Sequence, residues 1–432
     1  MVRKELLKHL IANAQQSFPA RVNPRSLKIP VDSRKIITVP GVRRCGKSSL
    51  FMDTINRLLE SGVPKERILF LNFDDERLKF NAENLDEILQ AYQELFPPVP
   101  LSDCYLFLDE IQMADDWQPF VRRVYEQTCR NIFITGSNSR MLSSELSTSL
   151  RGRSLQYEIF PLSFREYCEF TGIEIDPYTS IGRAVLVNAF NEFQRHGAFP
   201  EVVLSAEPYK ERILQEYFLI MLYKDLIEHY SIRNPQPVHY FLKRIMANLT
   251  KPSSINKIFN ELKSQGVSVG KNSIYEFVAQ AESIYLFFPL SRFDPSLVKE
   301  SAGDKKFYCI DSGLYAALLN PLDGDEGKLL ENTVFLHLRR SLSLSQRINY
   351  FKGRKECDFV LSGHSGVEQL IQVSYSLQDP QTRRRELEGL VEGSAVTGCR
   401  NLLILTNDEE EETTFDSLPV RVMPVWKWLL GT

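Results

Sequence analysis

The chain has 432 residues, 43% hydrophobic and 25% charged, the composition of an ordinary globular protein with two or three domains. The formal net charge of −3 excludes a whole-molecule basic field, so nucleic acid could be held only by a local patch. Seven cysteines without a CxxC pair exclude a disulfide framework and a cysteine zinc site, and suit a reducing cytosol.

Residues 1 to about 30 read as an amphipathic helix and a lead-in containing Pro19, Pro24 and Pro30. The helix has no continuous apolar stretch of the signal-peptide kind. The longest apolar runs, such as Tyr217 to Tyr223, are too short for a membrane span, so a cytoplasmic protein with no membrane partner is expected.

The apolar run Ile36, Ile37 and Val39 then enters Gly41-Val42-Arg43-Arg44-Cys45-Gly46-Lys47-Ser48, and a helical pattern leaves it through Ser49 and Leu50. This is G-x-x-x-x-G-K-[ST] with a strand before and a helix after. Glycines let backbone N–H groups turn around a phosphate, and the helix N-terminus adds its positive dipole end. Lys47 is expected on the β- and γ-phosphates of ATP and Ser48 on Mg²⁺.

Strand and helix alternate up to about 160. Arg67 to Phe73 is a buried strand type, Leu85 to Leu95 a helix, and Tyr105-Leu-Phe-Leu-Asp-Glu110 a strand ending in two carboxylates. A helix capped by Asp115 or Asp116 carries Trp117, Phe120, Val121, Val124 and Tyr125 on one face. Asn131 to Gly136 is a further strand. Short apolar strands alternating with helices predict an α/β parallel sheet covered on both faces.

A neighbouring strand would bring Asp109 and Glu110 beside the phosphate loop. Asp109 is expected to hold Mg²⁺ through its waters and Glu110 to activate the attacking water. Thr135-Gly136-Ser137-Asn138 ends the next strand at the same edge, where a hydroxyl or amide could bond the γ-phosphate or that water. A plain turn built on Gly136 and Asn138 fits the same residues. Arg151 and Arg153 could supply transition-state charge, in a neighbouring subunit if the protein forms a ring.

From about 160 to 240 the pattern is helical. Short helices, the aromatic strand Tyr285 to Pro289 and a second strand Lys306 to Ile310 then suggest a winged-helix module. The last third returns to alternation: a helix from Leu329, strands near 348–351, 357–361 and 368–375, a helix at 381–391 and a strand Leu402 to Thr406. Asp408 to Glu412 reads as a solvated acidic loop.

The combination GVRRCGKSSL, LFLDEIQ, ITGSNS, LRGR and FPLSFREY resembles the AAA-type ATPases of bacteria and archaea that carry an uncharacterised C-terminal domain. HGAFPEVV (196–203), FYCIDSGL (307–314) and ENTVFLHLRR (331–340) extend the resemblance over most of the chain. It implies ATP and Mg²⁺ as cofactors, Lys47 and Ser48 as their ligands and Asp109 with Glu110 as the Walker B pair. It further implies Ser137 or Asn138 as sensor, Arg153 as arginine finger and a homo-oligomer. The parts implied are an ATPase domain over 1–165, a helical and winged-helix region over 166–320 and an α/β end over 321–432.

That end resembles the restriction-endonuclease-like core, where a helix Glu, a strand Asp and a Glu-x-Lys surround a metal. Glu331 and Asp358 match the first two, but Gln372 and Ser374 stand in place of Glu and Lys. Serine cannot replace the ammonium that activates water, so a non-cleaving fold is expected. Lys352 and Lys355 are candidates for a migrated lysine. A nucleotide-gated nuclease and a slow ATP-binding switch are the alternative readings. The helix Lys271 to Ser283, with Glu276 and Glu282, is poor in positive charge for groove reading. Arg339, Arg340 and Arg383 to Arg385 are the better basic patch, and a protein partner stays equally open.

Overall fold

A computed structural model describes residues 4–80, 84–137, 152–294, 296, 300, 303–319 and 325–431. The chain divides into two compact units, Met1–Phe160 and Pro161–Thr432. The stretches 166–320 and 321–432, read from sequence as separate parts, fall within one unit.

The first unit is built on β1 (Ile36–Pro40), β2 (Ile68–Asn72), β3 (Tyr105–Asp109), β4 (Asn131–Gly136) and β5 (Ser154–Gln156). Among the described residues they form a five-stranded parallel sheet in the order β2-β3-β4-β1-β5. Helices α1 (Lys4–Gln16), α2 (Lys47–Glu60), α3 (Asp86–Leu95) and α4 (Trp117–Gln127) accompany it. β1 is buried along its whole length, as a strand covered on both faces must be. Phe107 stacks on Phe133 at 4.5 Å and meets the edge of Phe51 at 5.2 Å, which packs α2 against the sheet. Burying each ring contributes on the order of 2–3 kcal/mol.

The parallel register sets Pro40 opposite Gly136 and Leu108 opposite Ile134, so β1, β3 and β4 end at one sheet edge. That edge carries the site. Asp116 does precede α4, but at φ 55° its side chain makes no capping hydrogen bond, contrary to the expected cap.

In the second unit come α5 (Phe164–Thr171), α6 (Ser180–His196), α7 (Pro200–Leu204) and α8 (Glu207–Ile220), the last running into a π-helical stretch Met221–Glu228. Then follow α9 (Gln236–Ala247), α10 (Ile255–Ser264) and α11 (Lys271–Ser283). The antiparallel pair β6 (Phe287–Ser291) and β7 (Lys305–Cys309) comes next, followed by α12 (Ser312–Leu319) and α13 (Glu326–Ser341). A mixed sheet of β8 (Arg347–Lys352), β9 (Glu356–Gly363), β10 (Gly366–Val373), β11 (Leu402–Thr406), β12 (Glu411–Phe415) and β13 (Leu418–Pro424) completes it. Helix α14 (Pro380–Thr397) crosses from β10 to its parallel neighbour β11, and α15 (Val425–Leu430) ends the chain. Glu411 and Glu412, read from sequence as loop, begin the edge strand β12, where charged and exposed side chains guard an edge against stray pairing.

The HGAFP and IDSG segments, distant in sequence, meet in this unit. Asp311 Oδ2 accepts from Ala198 N at 2.7 Å and Oδ1 from Leu314 N at 3.1 Å. A Cβ on Gly313 would come 2.2 Å from the backbone carbon of His196, so only glycine allows the two segments to approach.

Candidate functional site

Two glycines shape the turn between β1 and α2. A Cβ on Gly41 would stand 2.3 Å from Ile159 O, and Gly46 sits at φ 99°, a left-handed conformation that ordinary residues avoid. Arg25, missed in the sequence, pins the turn from behind: Nη1 donates to Cys45 O at 2.7 Å and Nη2 to Phe160 O at 2.9 Å. Burial pushes the Cys45 thiol above its ordinary pKa, so Cys45 is a packing residue of the loop rather than a nucleophile. Arg43 pairs with Asp74 at 3.3 Å, Arg44 takes φ 65°, and Ser49 lies in the first turn of α2.

Lys47 is 4% exposed. Its ammonium donates to Gly41 O and Val42 O, both at 3.1 Å, and lies 3.0 Å from Glu110 Oε1. Burial pulls its pKa down, but the charge of Glu110 and its neighbours outweighs this and holds it above the ordinary lysine value.

Ser48 Oγ donates to Asp109 Oδ2 at 2.6 Å, and Thr135 Oγ1 donates to Asp109 Oδ1 at 2.6 Å. Burial, then the Glu110 charge, raises the pKa of Asp109. The hydroxyl of Ser48 and a buried carboxylate in contact at a helix N-terminus are hard oxygen donors, and they fit Mg²⁺. Glu110 takes φ 53°, an uncommon conformation costing on the order of 1 kcal/mol. Its N–H donates to Thr135 Oγ1 at 2.8 Å, which helps to hold that turn. Although burial raises it, the Glu110 pKa is lowered overall by Lys47 and by Gln112.

The structure therefore brings Lys47, Ser48, Asp109 and Glu110 together and adds Thr135, expected among the polar groups of its strand end to face phosphate or water and found instead on Asp109. It also adds a residue that sequence reasoning missed, Gln112. Its Nε2 donates to Glu110 Oε2 at 2.6 Å and to Ser137 Oγ at 3.3 Å. Its Oε1 is buried without a hydrogen-bond partner among the described residues. Asn138 and Arg151 lie outside the described residues. Arg153 is not brought to the phosphate loop of its own chain. It precedes β5 beside Ile36, at the end of β1 opposite Gly41, and pairs with Glu126.

A family model described as an AAA domain matches residues 33–168, and one for a domain of unknown function matches 187–324. The uncharacterised protein MJ1544 of Methanocaldococcus jannaschii is 34% identical, with the match covering 100% of this chain and 96% of that protein. This chain belongs to that family of AAA-type P-loop ATPases. An uncharacterised protein of Haemophilus influenzae is 28% identical over 92% of this chain and 95% of its own. The Walker-type ATPase PABY2304 of Pyrococcus abyssi is similar in structure at 13% identity, covering 74% of this chain and 96% of that one, with a TM-score of 0.43.

Among the described residues of this AAA-family chain, no helix is long and apolar enough to cross a membrane. A second polar site lies in the other unit, in a cleft of ≈ 590 Å³ lined by Glu331, Glu356, Asp358, Gln372, Ser374 and Arg385 among others. Glu331 comes from α13, Glu356 and Asp358 from β9, Gln372 from β10. Lys352 and Lys355 line this cleft, Lys352 pairing with Glu356 at 2.6 Å and Lys355 with Glu388 at 2.8 Å. The lysine that joins all three acids is Lys306 of β7, 1% exposed, with Nζ 3.0 Å from Glu331 Oε1, 2.8 Å from Glu356 Oε1 and 2.8 Å from Asp358 Oδ1.

Burial opposes the charge on Lys306, but Asp358, Glu331 and their neighbours outweigh it and raise its pKa well above the ordinary value. Burial, together with Asp358, pushes Glu331 up to about 7. Tyr308 donates to Glu331 Oε1 at 2.7 Å. Gln372 Oε1 accepts from Asp358 N at 3.2 Å and Nε2 donates to Glu386, while Ser374 Oγ turns away to Ser376 O at 3.0 Å. The expected basic patch is largely spoken for. Arg340 donates to Pro161 O, Arg339 lies over the Phe288 ring, and Arg383, Arg384 and Arg385 pair with Glu411, Glu388 and Glu386.

Proposed function

We propose that this chain binds ATP with Mg²⁺, hydrolyses it, and uses the nucleotide state to control conformation, assembly or the binding of a protein or nucleic acid. The observation that carries this is the juxtaposition of two pairs: Ser48 with Asp109 at 2.6 Å, and Lys47 with Glu110 at 3.0 Å. Lys47 and the N–H groups at the start of α2 receive the phosphate charge. Ser48 and Asp109 would hold Mg²⁺, which would supply charge neutralisation at the phosphate oxygens. Glu110 accepts a proton from the attacking water, and Thr135 keeps the end of β3 in register with it. Arg153, directed away from its own chain's loop, acts in trans if copies of the chain assemble.

The order of α9, α10 and α11 followed by the β6–β7 hairpin supports the winged-helix reading of that stretch. The succession α13, β8, β9, β10, α14 and β11, with acids on α13 and β9, supports a restriction-endonuclease-like end. A non-cleaving one is favoured, because its carboxylates are engaged by Lys306 and its Glu-x-Lys pair is absent. The test of the main reading is ATP turnover by the full chain with Mg²⁺ and with EDTA, beside Ser48→Ala. Turnover that needs Mg²⁺ and falls at least tenfold in Ser48→Ala is the expected result. Turnover indifferent to both would sink it.

A further inference from the structure

The resemblance of the C-terminal sheet to restriction endonucleases implies a divalent metal among Glu331, Asp358 and the β10 position held by Gln372. The residues of this chain do not fit one. Three carboxylates on two elements converge, as they would on a cation, but the cation is already part of the protein. Lys306 Nζ lies 2.8–3.0 Å from an oxygen of Glu331, Glu356 and Asp358. Gln372, which could lend a carbonyl oxygen to a metal, spends that oxygen on Asp358 N and its amide on Glu386. The second oxygen of Asp358 accepts from Val373 N at 2.9 Å.

We propose that the ammonium of Lys306 permanently replaces the divalent metal of this cleft, so that the site is a metal-free cross-link between β7, α13 and β9. Three arguments carry it. A divalent ion set among these oxygens would stand within contact distance of a fixed positive charge, a repulsion that a buried setting screens poorly. Lys306 cannot swing out to make room at low cost, because its side chain is 1% exposed and lies 5.6 Å from the Tyr350 ring centroid. Leaving would also strand three partly buried carboxylates without their shared partner. Finally, Lys306 comes from a hairpin outside the six-stranded sheet, so its ammonium ties that hairpin to α13 and β9 where a metal would tie only the acids.

The inference rests on the nuclease-like reading only for the metal it finds displaced. It is tested on the full chain, freed of nucleotide, by counting bound Mn²⁺ with electron paramagnetic resonance. Wild-type protein is expected to bind none that depends on Asp358. Lys306→Ala, and Lys306→Gln, which keeps much of the stem and removes the charge, are each expected to gain one Mn²⁺ per chain. That ion should disappear when Asp358→Asn is added, and Mn²⁺ should raise the melting temperature of the Lys306 variants but not of wild type.

Wild-type binding of Mn²⁺ that Asp358→Asn abolishes would overturn the proposal. So would folded Lys306 variants that gain no ion, since the lysine would then not be what excludes it. If neither Lys306 variant folds, the wild-type comparison with Asp358→Asn still decides between the two. None of these outcomes depends on ATP turnover, so the proposal stands or falls apart from the ATPase reading.

Discussion

Lys47 Nζ and Glu110 Oε1 stand 3.0 Å apart, the buried lysine of the loop in contact with the carboxylate proposed to activate water. On the proposed reading, a phosphate bound at Lys47 would compete with Glu110 for the same ammonium and so free that carboxylate to act on water. The two residues are thus linked before any chemistry occurs.

Separating their roles is the first expectation. Lys47→Ala should lose nucleotide binding, because the phosphates lose their main cation. Glu110→Gln should bind ATP at least as well as wild type and lose turnover by about a hundredfold or more, as when one transition-state group is removed. Fluorescent-nucleotide titration and phosphate release read the two effects separately. Wild-type turnover in Glu110→Gln would rule out the assigned role.

Gln112 should act through Glu110. Its Nε2 joins Glu110 Oε2 to Ser137 Oγ, so Gln112→Ala and the near-isosteric Gln112→Glu, which lacks the donor, should both lower kcat by roughly tenfold. Nucleotide affinity and melting temperature should change little. A loss of affinity as large as the loss of kcat would mean that Gln112 only supports the fold of the loop.

Arg153 lies beside Ile36, at the end of β1 opposite Gly41, so the proposed role in hydrolysis requires a second copy of the chain. Turnover per chain should therefore rise with protein concentration, and mixing Arg153→Ala with Lys47→Ala should recover some activity that neither has alone. Concentration-independent turnover by a monomer, established by mass photometry, would exclude this arrangement.

The C-terminal cleft should not cut nucleic acid. With Lys306 on its carboxylates and Ser374 in place of a lysine, no cleavage of single- or double-stranded DNA or RNA above background is expected with Mg²⁺ or Mn²⁺. Cleavage lost in Asp358→Ala but kept in Lys47→Ala would instead promote the nuclease reading.

His337 supplies a pH expectation. Burial, with Arg340 adding to it, pushes its pKa down to about 4, and its ring lies 4.5 Å from Trp428. The folded chain thus resists protonation that the unfolded chain accepts below about 6.5. Through this residue stability is constant above that value and falls as pH drops from there toward 4, by on the order of 1–2 kcal/mol at pH 5. Urea unfolding at pH 7.5 and 5 should show a smaller acid loss in His337→Gln than in wild type. An equal loss would show that other groups carry it.

How much of this was legible in the chain differs between the two units. The loop from Gly41 to Ser48 and the strand ending in Asp109 and Glu110 were readable because their chemistry is local: the glycines and apolar runs that shape each piece are neighbours in sequence. A parallel sheet then leaves little choice but to bring the strand ends to one edge. Thr135 was legible only as one of several polar groups at its strand end, and Gln112 not at all, since a glutamine in a turn has bland uses everywhere.

Sequence by itself determined that this chain builds a phosphate loop on a parallel sheet, with Lys47, Ser48, Asp109 and Glu110 as its polar residues. Only the tertiary structure decided which two hydroxyls bond Asp109, where Arg25 braces the loop, and that the cation shared by the acids of the second site is Lys306. Lys306 was unreadable because 25 residues separate it from Glu331 and 52 from Asp358, on elements whose approach is set by apolar packing. Nearby Lys352 and Lys355 do line the cleft, yet their own strand and loop bring them to Glu356 and Glu388, while Lys306 lies against Glu331 and Asp358 as well. Local pattern encodes the pieces; which buried charges end up sharing a partner follows from how the apolar faces of those pieces close on one another.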